Sequence, residues 1–194
     1  MHAPQFDARR LRILVALLLL AGALAGITTV VASASTVGAS ASTCVGWTGV
    51  QPPSPSTAVN VLDGVAVLSP CNAWAVGDYA NATADRTLIE HWNGTSWKQV
   101  TSPNPGGSDG NILEAVAATS STNAWAVGDY GTKDQTLIEH WNGTAWKQAT
   151  SPNPGGSSNS NILHGVAATS STNAWAVGYF SNGTAYQTLA THCC

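Results

Sequence analysis

Two stretches decide the fold: Asn111–Gly128, NILEAVAATSSTNAWAVG, and Asn161–Gly178, NILHGVAATSSTNAWAVG. They agree at 16 of 18 positions, which marks a recent duplication. A more distant version, NVLDGVAVLSPCNAWAVG, begins at Asn60. The equivalent tryptophans Trp74, Trp125 and Trp175 are spaced 51 and 50 residues apart. Self-similarity at a fixed period of this length is the mark of repeat architectures, in which one unit cannot bury its own faces and must pack on its neighbours.

Working outward, the first two copies run on into TLIEHWNGTSWKQVTSPNPGG (87–107) and TLIEHWNGTAWKQATSPNPGG (136–156). The third ends in QTLATHCC (187–194). Each full unit reads as four short strands. The first is expected over 62–68, 113–119 and 163–169, and the second over 73–77, 124–128 and 174–178. The third is expected over 87–92 and 136–141, with a degenerate copy at 188–193, and the fourth over 96–100 and 145–149. Asn93-Gly94 and Asn142-Gly143 separate strands three and four, and that dipeptide favours a tight hairpin because both residues tolerate positive φ. The SPNPGG segments end strand four, since proline has no N–H for a central ladder.

A repeated four-stranded antiparallel unit of about fifty residues predicts an all-β, β-propeller-like fold, with Trp, Leu, Ile and Val forming the seams between blades. The units fall at about 60–110, 111–160 and 161–194. WTGVQPPSPSTAVN (47–60) aligns with WKQVTSPNPGGSDGN (97–111), so 47–59 reads as a partial strand that completes the blade begun at Leu163. That makes about three blades, fewer than the four a closed propeller usually needs. Three arrangements are compatible with the count: a truncated copy of a longer protein, a ring shared by two chains, or an open arc with bare edges.

Composition narrows the function classes. The chain has 194 residues, a net charge of −3 and only 9% charged residues. Without the first dozen residues, four basic and nine acidic side chains remain. That excludes a basic, charge-driven nucleic-acid binder. Arg9, Arg10 and Arg12 precede an apolar run over 13–32, followed by Ala32-Ser33-Ala34 and Ala39-Ser40-Ala41. A basic start, an apolar stretch and a small-x-small exit predict a signal peptide and spacer over 1–41, with the repeats over 42–194. The alternative is a retained anchor, since 20 apolar residues are long enough to span a bilayer. Either way the repeats are expected at the cell surface or secreted, and contact with a membrane is expected only through that segment.

The units resemble the secreted WAVG…HWNGT.W repeat proteins of high-GC soil bacteria, whose longer members look like kelch-type or lectin-type propellers. The resemblance covers 47 to about 189. It implies export and a propeller-like fold, and it brings no chemistry with it. This chain departs from the pattern by its shortness and by ending on Cys193-Cys194.

Several residues stand out as candidates. Asp63, Glu114 and His164 share one position after the first leucine of strand one, which would line a propeller's channel. They are read either as ligand contacts or as solvated turn residues. Trp92, Trp97, Trp141 and Trp146 flank the Asn-Gly turns and could stack on sugar rings, or simply form cross-strand pairs. Glu90-His91 and Glu139-His140 recur in strand three, where neighbours point to opposite faces, and are read as structural. Asn81, Asn93, Asn142 and Asn182 sit in N-x-T sequences and are read as turn residues. Cys44 and Cys71 are expected to form a disulfide in an oxidising compartment. No differentiated carboxylate pair, Ser-His-Asp set, phosphate loop, cofactor motif or metal-ligand cluster is evident, so a non-enzymatic role is expected. The expected partners are an extracellular glycan, cell-wall polymer or protein, and a second copy of the chain. A purely structural fragment is the competing expectation.

Overall fold

The computed structural model describes residues 49–193. Eleven strands form three antiparallel sheets. The first blade has β1 (Asn60–Ser69), β2 (Asn72–Ala80), β3 (Asp85–Trp92) and β4 (Trp97–Gln99) in the order β1-β2-β3-β4. The second has β5 (Asn111–Ser120), β6 (Asn123–Tyr130), β7 (Gln135–Trp141) and β8 (Trp146–Ala149) in the equivalent order. The third has β9 (Asn161–Ser170), β10 (Asn173–Ser181) and β11 (Tyr186–Cys193). Successive blades touch through their first strands, β1 on β5 and β5 on β9. The result is a partial, open β-propeller-like arrangement. Trp47 lies outside the described residues, as does the predicted signal segment. Residues 49–59 are described and form no strand, so the partial strand expected over 47–59 to complete the third blade is not seen, in keeping with Pro52, Pro53 and Pro55, which have no N–H for a ladder. Among the described residues no helix is long and apolar enough to cross a membrane.

Alternation decides which side chains enter each seam. In β2 and β3, Trp74, Val76 and Ile89 share one face, and they pack on Leu113, Val116, Ala124, Ala126, Leu137 and Trp146 of the second blade. Trp74 is 2% exposed there. Its indole lies 5.1 Å from that of Trp141 and 5.2 Å, edge-on, from that of Trp146. Such aromatic pairs add about 0.5–1.5 kcal/mol each beyond the area they bury. The second seam places Val127 against Leu163, Ala176 and Leu189. Trp125 is buried at this seam, whereas Trp175, on the outward face of the last blade, is 52% exposed. Its exposure follows from position: no further sheet packs on it among the described residues.

Polar side chains hold the turns. Asn142 Oδ1 accepts from the N–H groups of Thr144 and Ala145, both at 3.0 Å. Only Gly143 in that loop takes a positive φ, at 93°. The expected two-residue hairpin is therefore a four-residue loop between the paired Trp141 and Trp146, with the asparagine acting through its side chain rather than its backbone. The SPNP segments clasp strand three: Asn104 Oδ1 accepts from the Thr87 N–H at 2.9 Å, and Asn153 Oδ1 from the Thr136 N–H at 2.8 Å.

The histidines of strand three are tied within their own sheets. The Nε2 atoms of His91, His140 and His192 lie 2.9, 2.7 and 3.0 Å from the Oδ1 atoms of Asn72, Asn123 and Asn173. Each imidazole also packs on the preceding tryptophan, at 4.4, 4.0 and 4.4 Å between ring centroids. Desolvation by burial lowers the pKa of His91 and His140.

The expected Cys44–Cys71 disulfide is corrected by the structure. Cys71 is an exposed free thiol, as is Cys193, and Cys44 lies outside the described residues. Cys71 occupies the position of Thr122 in the second blade. A Cβ built on Gly94 would come 2.9 Å from the Cys71 Cβ and 3.0 Å from its sulfur, just as one on Gly143 would come 3.1 Å from the Thr122 Cβ and methyl. The position asks for a small side chain seated against the Asn-Gly turn, and the thiol fills that place.

Candidate functional site

The innermost strands carry an irregularity at the same point in every blade. In β1, Leu62 pairs with Gly77 and Gly64 with Val76, so Asp63 is left over. In β5, Leu113 pairs with Gly128 and Ala115 with Val127, leaving Glu114. In β9, Leu163 pairs with Gly178 and Gly165 with Val177, leaving His164. Asp63, Glu114 and His164 are thus the extra residues of three equivalent β-bulges. A bulge re-aims the side chain it carries, and bulges gather beside functional sites.

The glycine of AWAVG makes the bulge possible. A Cβ on Gly128 would lie 2.1 Å from the Ile112 carbonyl oxygen, and the same clash recurs at Gly77 and Gly178. Backbone occupies that space, so any side chain there would push the inner strand away. The repeated glycine was visible in the sequence, but its link to the polar position opposite it required the register.

The three bulges bring their residues together. His164 Nδ1 lies 3.7 Å from Glu114 Oε2. The imidazole of His164 is 5.5 Å from the ring of Tyr179, which in turn meets Tyr186 edge-on at 4.9 Å. Asp78, Asp129 and Tyr179 occupy one position, immediately after the repeated glycine of strand two. Desolvation by burial, with Asp85, Asp63 and Glu114 adding to it, raises Asp78 to about 6. Desolvation, with Asp134, Glu114 and Asp78, raises Asp129 to about 7. Burial also pushes the Tyr179 hydroxyl up, and Tyr186, Asp134, Asp129 and Glu114 contribute in the same direction. The distances join Glu114, His164, Tyr179 and Tyr186 in one cluster, and Asp78 and Asp129 lie near enough for the carboxylates to act on one another. Strand two contributes Asp78, Asp129 and Tyr179 to it, beyond the three residues singled out from strand one. Among the described residues no three His, Cys, Asp or Glu side chains converge as a metal site.

The tryptophans lie elsewhere. Trp92 pairs with Trp97 at 5.7 Å on the outward face of the first blade, and the Trp92 Nε1–H donates to the Pro70 carbonyl at 3.0 Å. Trp141 and Trp146 sit in the first seam against Trp74. The Trp141 Nε1–H donates to the Ser121 carbonyl at 3.1 Å. The second seam holds a cavity of about 170 Å³ lined in part by Trp125, Val127, Ala176, Thr191 and Cys193. Cys193 stands where Trp141 stands in the blade before, and the third blade has no described counterpart of Trp146. The cavity is the space that two indoles fill in the first seam.

Glu139 is also in the first seam, on the face that carries Ala126 and Leu137. It is fully buried, and neither carboxyl oxygen has a hydrogen-bond partner. Burial raises its pKa to about 8, and that of its counterpart Glu90 to about 7. The indole N–H groups of Trp74 and Trp146 are likewise unpaired.

No known protein family matches the chain, and no curated protein matches it.

Proposed function

We propose that this protein is an extracellular binding module whose axial rim takes a glycan. The observation that carries the reading is the set of three in-register bulges. They present three different side chains, Asp63, Glu114 and His164, at one equivalent position of the inner strands, two of which, β5 and β9, otherwise differ only at Ala115 and Gly165. Carboxylates, an imidazole and phenols accept and donate hydrogen bonds to sugar hydroxyls, and the rings of Tyr179 and Tyr186 offer planar surfaces to the apolar faces of a sugar. The basic and apolar start of the chain, and the resemblance of its repeats to secreted propeller-like proteins, support an extracellular setting. The reading is one of binding without catalysis, because the carboxylates sit in near-copies of one another and no differentiated acid and base pair stands out.

The test is binding of purified cell-wall polysaccharides and their oligosaccharides, measured by calorimetry against the wild type, Glu114→Gln and His164→Ala. Losing a hydrogen bond to the Glu114 carboxylate costs about 1.5–3 kcal/mol, so Glu114→Gln should bind roughly tenfold or more weakly, and His164→Ala, which removes a ring that both stacks and hydrogen-bonds, should weaken binding severalfold. Wild-type binding that neither variant changes would place the ligand elsewhere. A protein that binds none of these polymers would favour a purely structural role.

A further inference from the structure

We infer, resting on the glycan reading above, that the glycan at the axial rim carries free, protonated amino groups, with Glu114, Asp129 and the ring of Tyr179 forming the seat for one ammonium. Charge is unevenly distributed in this molecule. Lys98 and Lys147 stand on β4 and β8, the last strands of their sheets. Asp63, Asp78, Glu114 and Asp129 stand at the bulge end of the first two strands. Among the described residues no lysine or arginine forms an ion pair with any of these carboxylates, and their one charged contact is the His164 imidazole beside Glu114.

Asp129 is the member held most unfavourably. It is 8% exposed, on the face of β6 that carries Trp125 and Val127 into the second seam. Across the ladder it pairs with Ile112, two positions before the Glu114 bulge. Ser160 Oγ donates to Asp134 Oδ2 at 2.7 Å, whereas among the described residues no donor or cation is paired with the Asp129 carboxyl. A nearly buried, unpaired carboxyl beside other carboxyls is costly unless a cation comes to it. Burial acts first on Asp78 and Asp129, followed by Asp85, Asp63 and Glu114 on the one and Asp134, Glu114 and Asp78 on the other. Every one of these influences pushes the proton affinity up, and none is a cation.

The rings at the same place suit an ammonium better than a metal ion. Tyr179 takes the position of Asp129 in the third blade, lies 5.5 Å from His164 and meets Tyr186 edge-on at 4.9 Å. Its hydroxyl is acted on by both Asp129 and Glu114. An ammonium has three donors for carboxylate oxygens and is attracted to the face of an aromatic ring. A calcium ion would need more oxygen ligands converging on one point, and among the described residues no three His, Cys, Asp or Glu side chains do so. An N-acetylated sugar offers only a neutral amide to the same carboxylates.

The experiment is calorimetry of the full chain, in a mild non-ionic detergent at about pH 6, where a sugar amine is protonated. At that pH Asp129, at about 7 in the free protein, is largely protonated, and a bound ammonium draws its proton off. The ligands are a glucosamine hexamer, the same hexamer N-acetylated, and spermidine, a polyamine without a sugar. Charge-assisted hydrogen bonds are about twice as strong as neutral ones, so the free-amine hexamer should bind roughly tenfold or more tightly than the acetylated one. Asp129→Asn and Glu114→Gln keep the shape and remove the charge, and each should cut that preference to about threefold or less. Circular dichroism checks folding, and Glu114, which is half-buried on its bulge, keeps the test intact if the Asp129 variant unfolds. Equal binding of the two hexamers, or tighter binding of the acetylated one, overturns the inference and leaves the glycan reading standing. So does a preference that folded Glu114→Gln retains. Spermidine bound as tightly as the free-amine hexamer also overturns it, since the amine would then be recognised without its sugar. If neither hexamer binds, the inference falls, and the glycan reading falls with it only if the cell-wall polysaccharides fail to bind too.

Discussion

Glu139 offers the sharpest test of how the first seam is held. Its carboxyl is fully buried on the face packed against the first blade and has no hydrogen-bond partner. Ionising it there would leave a bare charge among indoles and aliphatic side chains, so it stays protonated and its pKa rises from 4.5 to about 8. In the unfolded chain the same group ionises near 4.5. Between those values the folded state holds a proton that the unfolded state has released, so folding stability falls as pH rises. The fall is complete above about 8. At about 1.4 kcal/mol per unit, the whole shift corresponds to about 5 kcal/mol. Raised carboxyls at Asp78, Asp129 and Glu90 act in the same direction, but their losses are largely complete by about pH 7. The lowered histidines act on the acid side of 6.5. The interval from pH 7 to 9 therefore belongs mainly to Glu139, and about 1.4 kcal/mol of its share falls there. Urea unfolding of wild type and Glu139→Gln at pH 7 and 9 reads it. The wild type should lose about that much more than the variant, which cannot ionise at this position and keeps only the remaining losses of Asp129 and Glu90. Glu139→Leu should match the pH response of the glutamine variant and exceed its stability at both pH values. Equal losses in wild type and Glu139→Gln would refute a buried, protonated carboxyl in this seam.

Three further substitutions test the seams and the bulge. Trp74→Ala removes the indole that holds Trp141 and Trp146 together, and should cost about 3–5 kcal/mol in denaturant unfolding. Trp175→Ala should cost less than about 1 kcal/mol because half of the side chain is already in water. Gly128→Ala drives a methyl group into the Ile112 carbonyl, where backbone rather than a flexible side chain must give way. It should cost about 3 kcal/mol or more, and should weaken any axial ligand together with stability because the Glu114 bulge moves with the strand.

Much of this molecule could be read from its repeats, because strand alternation and turn chemistry act over a few residues. The spacing of Trp74, Trp125 and Trp175 and the recurring SPNPGG segments marked the units, and the eleven observed strands lie on predicted ones, the first three of each blade longer than expected and β4 and β8 shorter, while the partial strand expected over 47–59 is not seen over 49–59. Asp63, Glu114 and His164 stood out as the varying residues of a constant pattern. Their nature as bulge residues did not, since a bulge exists only in the pairing of one strand with its neighbour. The Asn-Gly loops were located correctly, but the asparagine works by its side chain.

Whole-molecule context decided the rest. Trp125 and Trp175 stand in nearly identical sequences, yet one is buried and the other half exposed, because among the described residues only the first has a sheet beyond it. Cys71 read as half of a disulfide and proved to be a small side chain seated against a glycine turn. Glu90 and Glu139 read as structural, and the sequence held no sign of how far burial raises their pKa values. Local sequence determines which conformations a segment favours. Exposure, ionisation and contact depend on what lies across the seam, and the covering residues come from fifty positions away.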